Sequence, residues 1–385
     1  MESTITKRQS VEVKVGTIGI GGDNPIRIQS MTNTDTMDTV ATARQAIALA
    51  EEGCEIVRIT ASNTTSAENL YEIKNEIAKH GYDIPLIADI HFNPKAAEIA
   101  AGIVEKVRIN PGNYIDRNSN GHSFSDKDTS DEIKRISERL YPLIEICKRH
   151  KTAIRIGTNQ GSLSQRIINR YGNTPLAMAH SAMEFVRICR SFDYNQLVLS
   201  MKSSNVRTMS LSTRLLVGMI DSEGCDKYPI HLGVTEAGEG EDGTIKSAVG
   251  IGSLLCLGIG DTIRVSLTGD PLAEIPVAKS ILQASGCRTY KAEIVSCPSC
   301  GRTKYDISSA VRQVKEKCGN LKGIKIAVMG CVVNGPGEML DADYGYIGSL
   351  EGKVHLYRKG KVAFANVEQE KAIDILLQMI NEDSK

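Results

Sequence analysis

The sequence predicts an α/β protein, a (β/α)8 TIM barrel followed by a small α+β domain. Eight short apolar or β-branched runs between residues 26 and 267, each ending in polar residues, alternate with longer segments of helical spacing. Strands and helices in alternation pair the strands in parallel through right-handed crossovers, and eight such units close a barrel. A stretch with two prolines, Gly269-Asp-Pro-Leu-Ala-Glu-Ile-Pro276, then marks a boundary. The expected divisions are 1–270 for the barrel, 271–290 for a linker and 291–385 for the second domain. A doubly wound open sheet is the alternative for the first part.

The chain opens on Val11-Glu-Val-Lys-Val-Gly-Thr-Ile-Gly-Ile-Gly-Gly22, which alternates and then turns on glycines as a short hairpin would, a plug or lid at the start of a domain. The barrel strands are expected at 26–31, 55–60, 85–90, 106–110, 153–157, 196–201, 230–235 and 262–267. Helices are expected at 40–52, 66–80, 94–104, 131–150, 175–192, 205–223 and 246–258. Residues 118–132 are polar and turn-rich and read as a loop after the fourth strand. Gly238-Glu-Gly-Glu-Asp-Gly243 fits a dinucleotide-binding pattern, but Glu239, Glu241 and Asp242 would repel a pyrophosphate, so it reads as a glycine-rich loop. The second domain reads as a strand at 292–296, a helix at 307–318, a strand at 324–329, a strand pair near 345–365 and a last helix at 367–381.

Composition narrows the function. The 385 residues are 41% hydrophobic, enough to fill a barrel and a smaller core. No apolar run approaches the roughly 20 residues needed to span a bilayer, and Met1-Glu-Ser-Thr-Ile-Thr-Lys-Arg8 lacks the apolar core of a secretory signal. A cytoplasmic protein without a membrane partner is expected. Lys plus Arg equals Asp plus Glu at 46 each, and five Phe with no Trp give few stacking platforms, which argues against nucleic acid. Ten cysteines in such a chain point to metal or thiol chemistry before disulfides. Cys54, Cys147, Cys189 and Cys256 lie in apolar segments and read as small core residues; Cys225 and Cys287 receive no role.

In a parallel barrel the reactive groups lie at the C-terminal ends of the strands. There the sequence places Arg58, Asp89, His91, Arg108, Arg155, Asn159, Lys202, Glu236, Arg264 and Ser266. Four arginines and a lysine at one mouth suit a small, highly phosphorylated ligand, because the guanidinium fork matches phosphate oxygens. Asp89, His91 and Glu236 supply possible proton donors and orienters.

The second domain carries Cys297-Pro-Ser-Cys300 and Cys331-Val-Val-Asn-Gly-Pro-Gly-Glu338. Alone, the first pair is open between zinc, a redox dithiol and an iron-sulfur site. With Cys331 and no histidine nearby to close a zinc tetrahedron, an iron-sulfur cluster is favoured, and three cysteines leave one iron for another ligand. Glu338 lies within reach of that iron. Cys318 could compete, yet it shares a helical face with Ile307, Val311 and Val314 and reads as core.

These residues resemble the 4-hydroxy-3-methylbut-2-enyl diphosphate synthase family of the non-mevalonate isoprenoid pathway. The resemblance rests on Gly330-Cys-Val-Val-Asn-Gly-Pro-Gly-Glu338 and Cys297-Pro-Ser-Cys300, and on Gln29-Ser-Met31, Ala88-Asp-Ile-His-Phe92, Arg108-Ile-Asn-Pro-Gly-Asn113, Asn159-Gln-Gly-Ser-Leu163, Gly233-Val-Thr-Glu-Ala-Gly238 and Gly260-Asp-Thr-Ile-Arg-Val-Ser266. It implies a barrel that binds 2-C-methyl-D-erythritol 2,4-cyclodiphosphate and a C-terminal iron-sulfur domain whose 4Fe-4S cluster is held by Cys297, Cys300, Cys331 and Glu338, the glutamate yielding to substrate. It implies substrate contacts at Arg58, Arg108, Arg155, Asn159, Lys202, Arg264 and Ser266, with Asp89, His91 and Glu236 near the reacting carbons. It further implies ferredoxin or flavodoxin as electron donor, and a head-to-tail homodimer. The wording around residues 84–92 and 106–113 looks closer to larger plant and chlamydial forms that insert an extra domain, for which there is no room between Leu267 and Cys297. A zinc-stabilised protein that binds a phosphorylated ligand without redox chemistry is the competing reading.

Overall fold

In the computed structural model, which describes residues 6–114, 126–333 and 335–383, the chain separates into two units, Met1–Arg288 and Thr289–Lys385. The first unit opens on an antiparallel hairpin, β1 (Val13–Val15) and β2 (Ile18–Ile20). Val13, Val15 and Ile20 are fully buried against Ile56, Ile87, Ala153 and Val198. These partners lie at or near the starts of barrel strands, so the hairpin is a floor at the N-terminal end, opposite the mouth.

The barrel strands are β3 (Arg27–Met31), β4 (Ile56–Ala61), β5 (Leu86–Ile90), β6 (Lys106–Ile109), β7 (Ala153–Asn159), β8 (Leu197–Lys202), β9 (His231–Leu232) and β10 (Thr262–Ile263). They run parallel in the order β8-β7-β6-β5-β4-β3-β10-β9, and a parallel bridge between Leu199 and Ile230 completes the ring. β9 and β10 are two residues long, shorter than the expected runs at 230–235 and 262–267, because the chain leaves regular pairing as it enters the mouth.

Around the ring pack α1 (Thr39–Glu52), α2 (Thr64–Lys79), α3 (Pro94–Ala101), α4 (Asp126–His150), α5 (Gln165–Tyr171), α6 (Pro175–Ser191), α7 (Val206–Ser222), α8 (Gly240–Leu255) and α9 (Glu274–Ala284). Their starts are written locally. Asp38, Asn63, Asn93, Thr174 and Asn205 each accept a hydrogen bond from the backbone N–H three residues on, which satisfies donors the helix leaves free.

Some expectations need correction. α4 begins at Asp126, so residues 126–132 are helical rather than loop; residues 118–125 lie outside the described residues. α8 begins at Gly240, inside the stretch read as a glycine-rich loop, and the same Glu241 and Asp242 that disfavour a phosphate suit the positive end of a helix. Cys256 is exposed, not core, because it caps that helix facing outward. Within 271–290, Pro271–Ala273 form a 310 turn and α9 buries Ile275, Ala278, Ile281 and Leu282.

The second unit contains β11 (Glu293–Ser296), α10 (Ile307–Cys318), β12 (Lys325–Met329), α11 (Gly335–Glu338), β13 (Tyr344–Gly348), β14 (Lys353–Arg358), β15 (Lys361–Glu368) and α12 (Gln369–Asp383). The sheet order is β11-β12-β13-β14-β15, parallel across the first three strands and antiparallel thereafter. Three strands stand where a pair was expected, because turns at 349–352 and 359–360 divide the stretch into three short runs. α10 and α12 cover one face over Ile326, Val328, Tyr346 and Leu356, and Cys318 is fully buried in that core. Ala327, Met329, Met339, Ile347 and Tyr357 form the smaller core on the other face.

Replacing Ile20 by Ala removes a fully buried side chain from the barrel floor. The expected loss is about 2–5 kcal/mol in urea unfolding; a loss below 1 kcal/mol would show that the hairpin is not an integral part of the barrel.

Candidate functional site

Strand alternation turns every second residue inward, and parallel register aligns the inward residues of neighbouring strands. Thr60 pairs with Asp89, Asp89 with Arg108, Arg108 with Arg155, and Asn159 with Lys202. The inward positions toward the C-terminal ends of the strands therefore collect the polar side chains. Arg58, Asp89, Arg108, Arg155 and Lys202 are all buried, Arg155 almost completely at 1% exposure.

Asp89 is the hub. Its carboxylate accepts from Arg108 Nη1 at 3.2 Å and lies 3.8 Å from Arg58 Nε. His91 Nε2 sits 3.1 Å from the other oxygen. Burial alone would push this carboxyl up, but Arg58 and Arg108, with His91, hold it well below the usual carboxylate range. Arg108 also donates to the carbonyl of Gly157 at 2.9 Å. A Cβ on Gly157 would lie 2.5 Å from Arg108 Nε, so glycine leaves the space that the guanidinium occupies. Phe92, just after His91, has φ 54°, a conformation rare for a bulky residue, and it turns the chain sharply out of β5.

The other cations are held differently. Arg58 donates from Nε and Nη2 to the Met31 sulfur at 3.1 and 2.9 Å. Arg264 is paired with Glu274, which also accepts from Ser30 Oγ at 2.7 Å and from the Leu267 N–H at 3.2 Å. Arg155 has no hydrogen-bond partner for Nε or Nη1, and Asn159 Oδ1 is likewise buried without one. Burial, then Arg58 and Arg155, pull the Lys202 ammonium well below its ordinary value. Of the remaining expected residues, Ser266 is half-buried just beyond β10, whereas Glu236 is exposed after β9, with φ 52°. The structure thus gathers the arginines, Lys202, Asp89, His91 and Asn159, and leaves Glu236 outside the buried layer.

Sequence reasoning missed Glu274, Lys106 and His231. Glu274 falls in the segment taken for linker, and only its 1% exposure reveals it. Lys106 and His231 sit near strand starts rather than ends, and both are fully buried in the barrel interior.

In the second unit Cys297, Cys300, Cys331 and Glu338 all line one cavity of about 420 Å³, together with Arg302, Met329 and Gly330. Cys297 directly follows β11 and Cys331 lies two residues past β12, strands that are adjacent and parallel, which brings the two to one cavity from 34 positions apart in sequence. The Gly330 backbone N–H donates to Cys297 Sγ at 3.1 Å. The Arg302 backbone N–H draws the exposed Cys300 thiol below its ordinary value. Among the described residues no three His, Cys, Asp or Glu side chains converge as ligands of a single ion, which gives the zinc reading no support. A cluster asks for something else, one ligand per iron around a common cavity, and three thiolates with a carboxylate fit that demand.

The profile of the GcpE TIM-barrel domain matches residues 10–279, and that of the GcpE protein C-terminal domain matches residues 293–382. A protein of Prochlorococcus marinus subsp. pastoris named 4-hydroxy-3-methylbut-2-en-1-yl diphosphate synthase (ferredoxin) is 47% identical over 384 residues, 99% of this chain and 94% of that one. Proteins of the same name from Parasynechococcus marenigrum and Rippkaea orientalis are 46% and 48% identical, each covering all of this chain and 97% and 95% of their own. Such coverage leaves these relatives no more room for an inserted domain than this chain has. No helix among the described residues is long and apolar enough to cross a membrane. With both profiles matched in order and relatives aligned from end to end, the chain belongs to the GcpE family.

Proposed function

We propose that this chain is a 4-hydroxy-3-methylbut-2-enyl diphosphate synthase, an iron-sulfur oxidoreductase that opens the ring of 2-C-methyl-D-erythritol 2,4-cyclodiphosphate and removes one hydroxyl as water. Counted with the phosphates in acid form, two electrons and two protons enter, one C–O bond to the diphosphate breaks, and one water leaves. The observation that carries the reading is the basic interior of the barrel: Arg58, Arg108, Arg155 and Lys202 buried, Arg264 half-buried, and donors on Arg155 that have no acceptor among the described residues. Such an interior calls for an anion with many oxygens.

Arg155 and Lys202, the least compensated cations, grip the diphosphate, while Arg58, Arg108 and Arg264, already braced by Asp89 and Glu274, orient it. Asn159 and Ser266 bond to the remaining oxygens. Asp89 stays ionised and fixes His91, which, with Glu236 from the loop after β9, supplies the proton to the departing oxygen. In the second unit Cys297, Cys300, Cys331 and Glu338 would hold a 4Fe-4S cluster, with Glu338 the ligand that yields to substrate. The cluster, when bound, delivers electrons one at a time and a Lewis-acidic iron. Relatives carry ferredoxin in their names, and the same donor is proposed here, with flavodoxin as an alternative carrier. The reading includes a cytoplasmic homodimer, small-molecule chemistry and no nucleic acid partner.

Purified without oxygen, the protein is expected to be brown, to contain about four irons per chain and to bleach with dithionite. Cys331→Ser should lose colour and turnover together; a colourless wild type carrying one zinc would sink the cluster assignment.

Arg155→Ala should keep the colour but bind the cyclodiphosphate roughly 10²–10³-fold more weakly, the range expected when one partner of a buried charged contact is removed. Gly157→Ala, which forces Arg108 out of its place, should raise KM with the cluster spectrum unchanged; an unaltered KM would show that the Arg108 position does not matter for binding.

A further inference from the structure

Among and below the arginines the barrel holds three polar groups that the proposed substrate contacts do not use. Lys106 and His231 are fully buried and Ser200 is 1% exposed. Lys106 Nζ, both ring nitrogens of His231 and Ser200 Oγ have no hydrogen-bond partner among the described residues. Lys106 stands in register with Ile87 and Ala153, one inward position beneath Asp89, Arg108 and Arg155. Ser200 pairs with Gly157, one inward position nearer the mouth than Arg155, its oxygen 3.3 Å from where a Cβ on that glycine would stand and so beside the Arg108 guanidinium. A folded interior rarely keeps so many donors unpaired side by side.

The two carboxylates of the barrel interior are already engaged. Asp89 is engaged by Arg58, Arg108 and His91, and Glu274 by Ser30, Arg264 and the Leu267 N–H. Burial, then Arg155 and Arg58, lower the Lys106 ammonium well below its ordinary value; burial, then Arg155, Lys202 and Lys106, do the same to His231. An arriving anion would reverse that penalty, whereas water would leave the like charges facing one another.

We propose that Lys106 and His231 form a floor to the anion site, with Ser200 on its wall beside Arg108, the three together gripping the innermost phosphoryl oxygens of a diphosphate. The assignment rests on reading the barrel as a diphosphate site, and it names these three as binding residues that the family resemblance does not supply.

Inorganic pyrophosphate is the probe, titrated calorimetrically into the anaerobically purified holoprotein. Lys106→Met and His231→Phe should each weaken pyrophosphate binding by about tenfold or more, while melting at or above the wild-type temperature without ligand, because each removes a buried unpaired polar group. A residue with a merely structural role would lower the melting temperature instead. If both variants bind pyrophosphate as wild type does while Arg155→Ala does not, the floor holds only water and the proposal fails, with the diphosphate reading intact. If the wild type itself does not bind pyrophosphate, the diphosphate reading fails and takes the floor with it. Should His231→Phe not fold, Lys106→Met and Ser200→Ala decide the outcome.

Discussion

Uncompensated positive charge inside the barrel is the constraint on which the structure depends. Arg58, Arg108, Arg155, Arg264, Lys202 and Lys106 face two buried carboxylates, Asp89 and Glu274. Like charges this close, with little water between them, repel far more strongly than at a surface. The fold tolerates them because a closed ring fixes each strand through its neighbours on both sides. The floor hairpin seals the apolar end, and α9 supplies Glu274 to brace Arg264 and Ser30. Even the Met31 sulfur is recruited, accepting from Arg58 where a carboxylate would have neutralised the site.

That arrangement makes the barrel a receptor before any ligand arrives. Arg58, Arg108 and Arg264 are held by protein acceptors and so are already oriented, which lowers the ordering cost of binding. Arg155 and Lys202 are held only by packing and keep their donors for the ligand. The division of labour between braced and unbraced cations is a property of the register. Asp89 stands beside Arg108, and Arg108 beside Arg155, so one carboxylate reaches the first arginine and not the second.

Much of this was legible in the sequence, for a definable reason. Period-two alternation fixes which strand residues face inward, so Arg108 and Arg155 could be assigned to the mouth without coordinates, and helical spacing placed the starts of α1, α3, α6 and α7 within a residue. What escaped lay where local pattern and tertiary position part company. Lys106 looks like the polar edge of a strand, yet it is fully buried because its neighbour Ala153 is small and the ring closes over it. Glu274 lies between Pro271 and Pro276, in a stretch that reads as loop, and becomes core only when α9 packs home. Asp126 and Gly240 begin helices inside turn-rich stretches, since acidic residues favour a helix start as readily as a loop. Cys256 shares its apolar surroundings with true core cysteines and differs only in which way the end of α8 points.

The second unit obeys a related logic with the charge reversed. Adjacent parallel strands end together, so Cys297 and Cys331 meet at one sheet edge whatever the sequence between them, and the Gly330 N–H already points at a sulfur. Glu338 differs in kind. It closes the four-residue helix α11, Gly335-Pro-Gly-Glu338, and is exposed, while Cys297 directly follows strand β11. In the proposed set of three soft thiolates and one hard carboxylate, the carboxylate would be the ligand that binds iron-sulfur iron least firmly, so its exchange would leave the cysteine anchors in place.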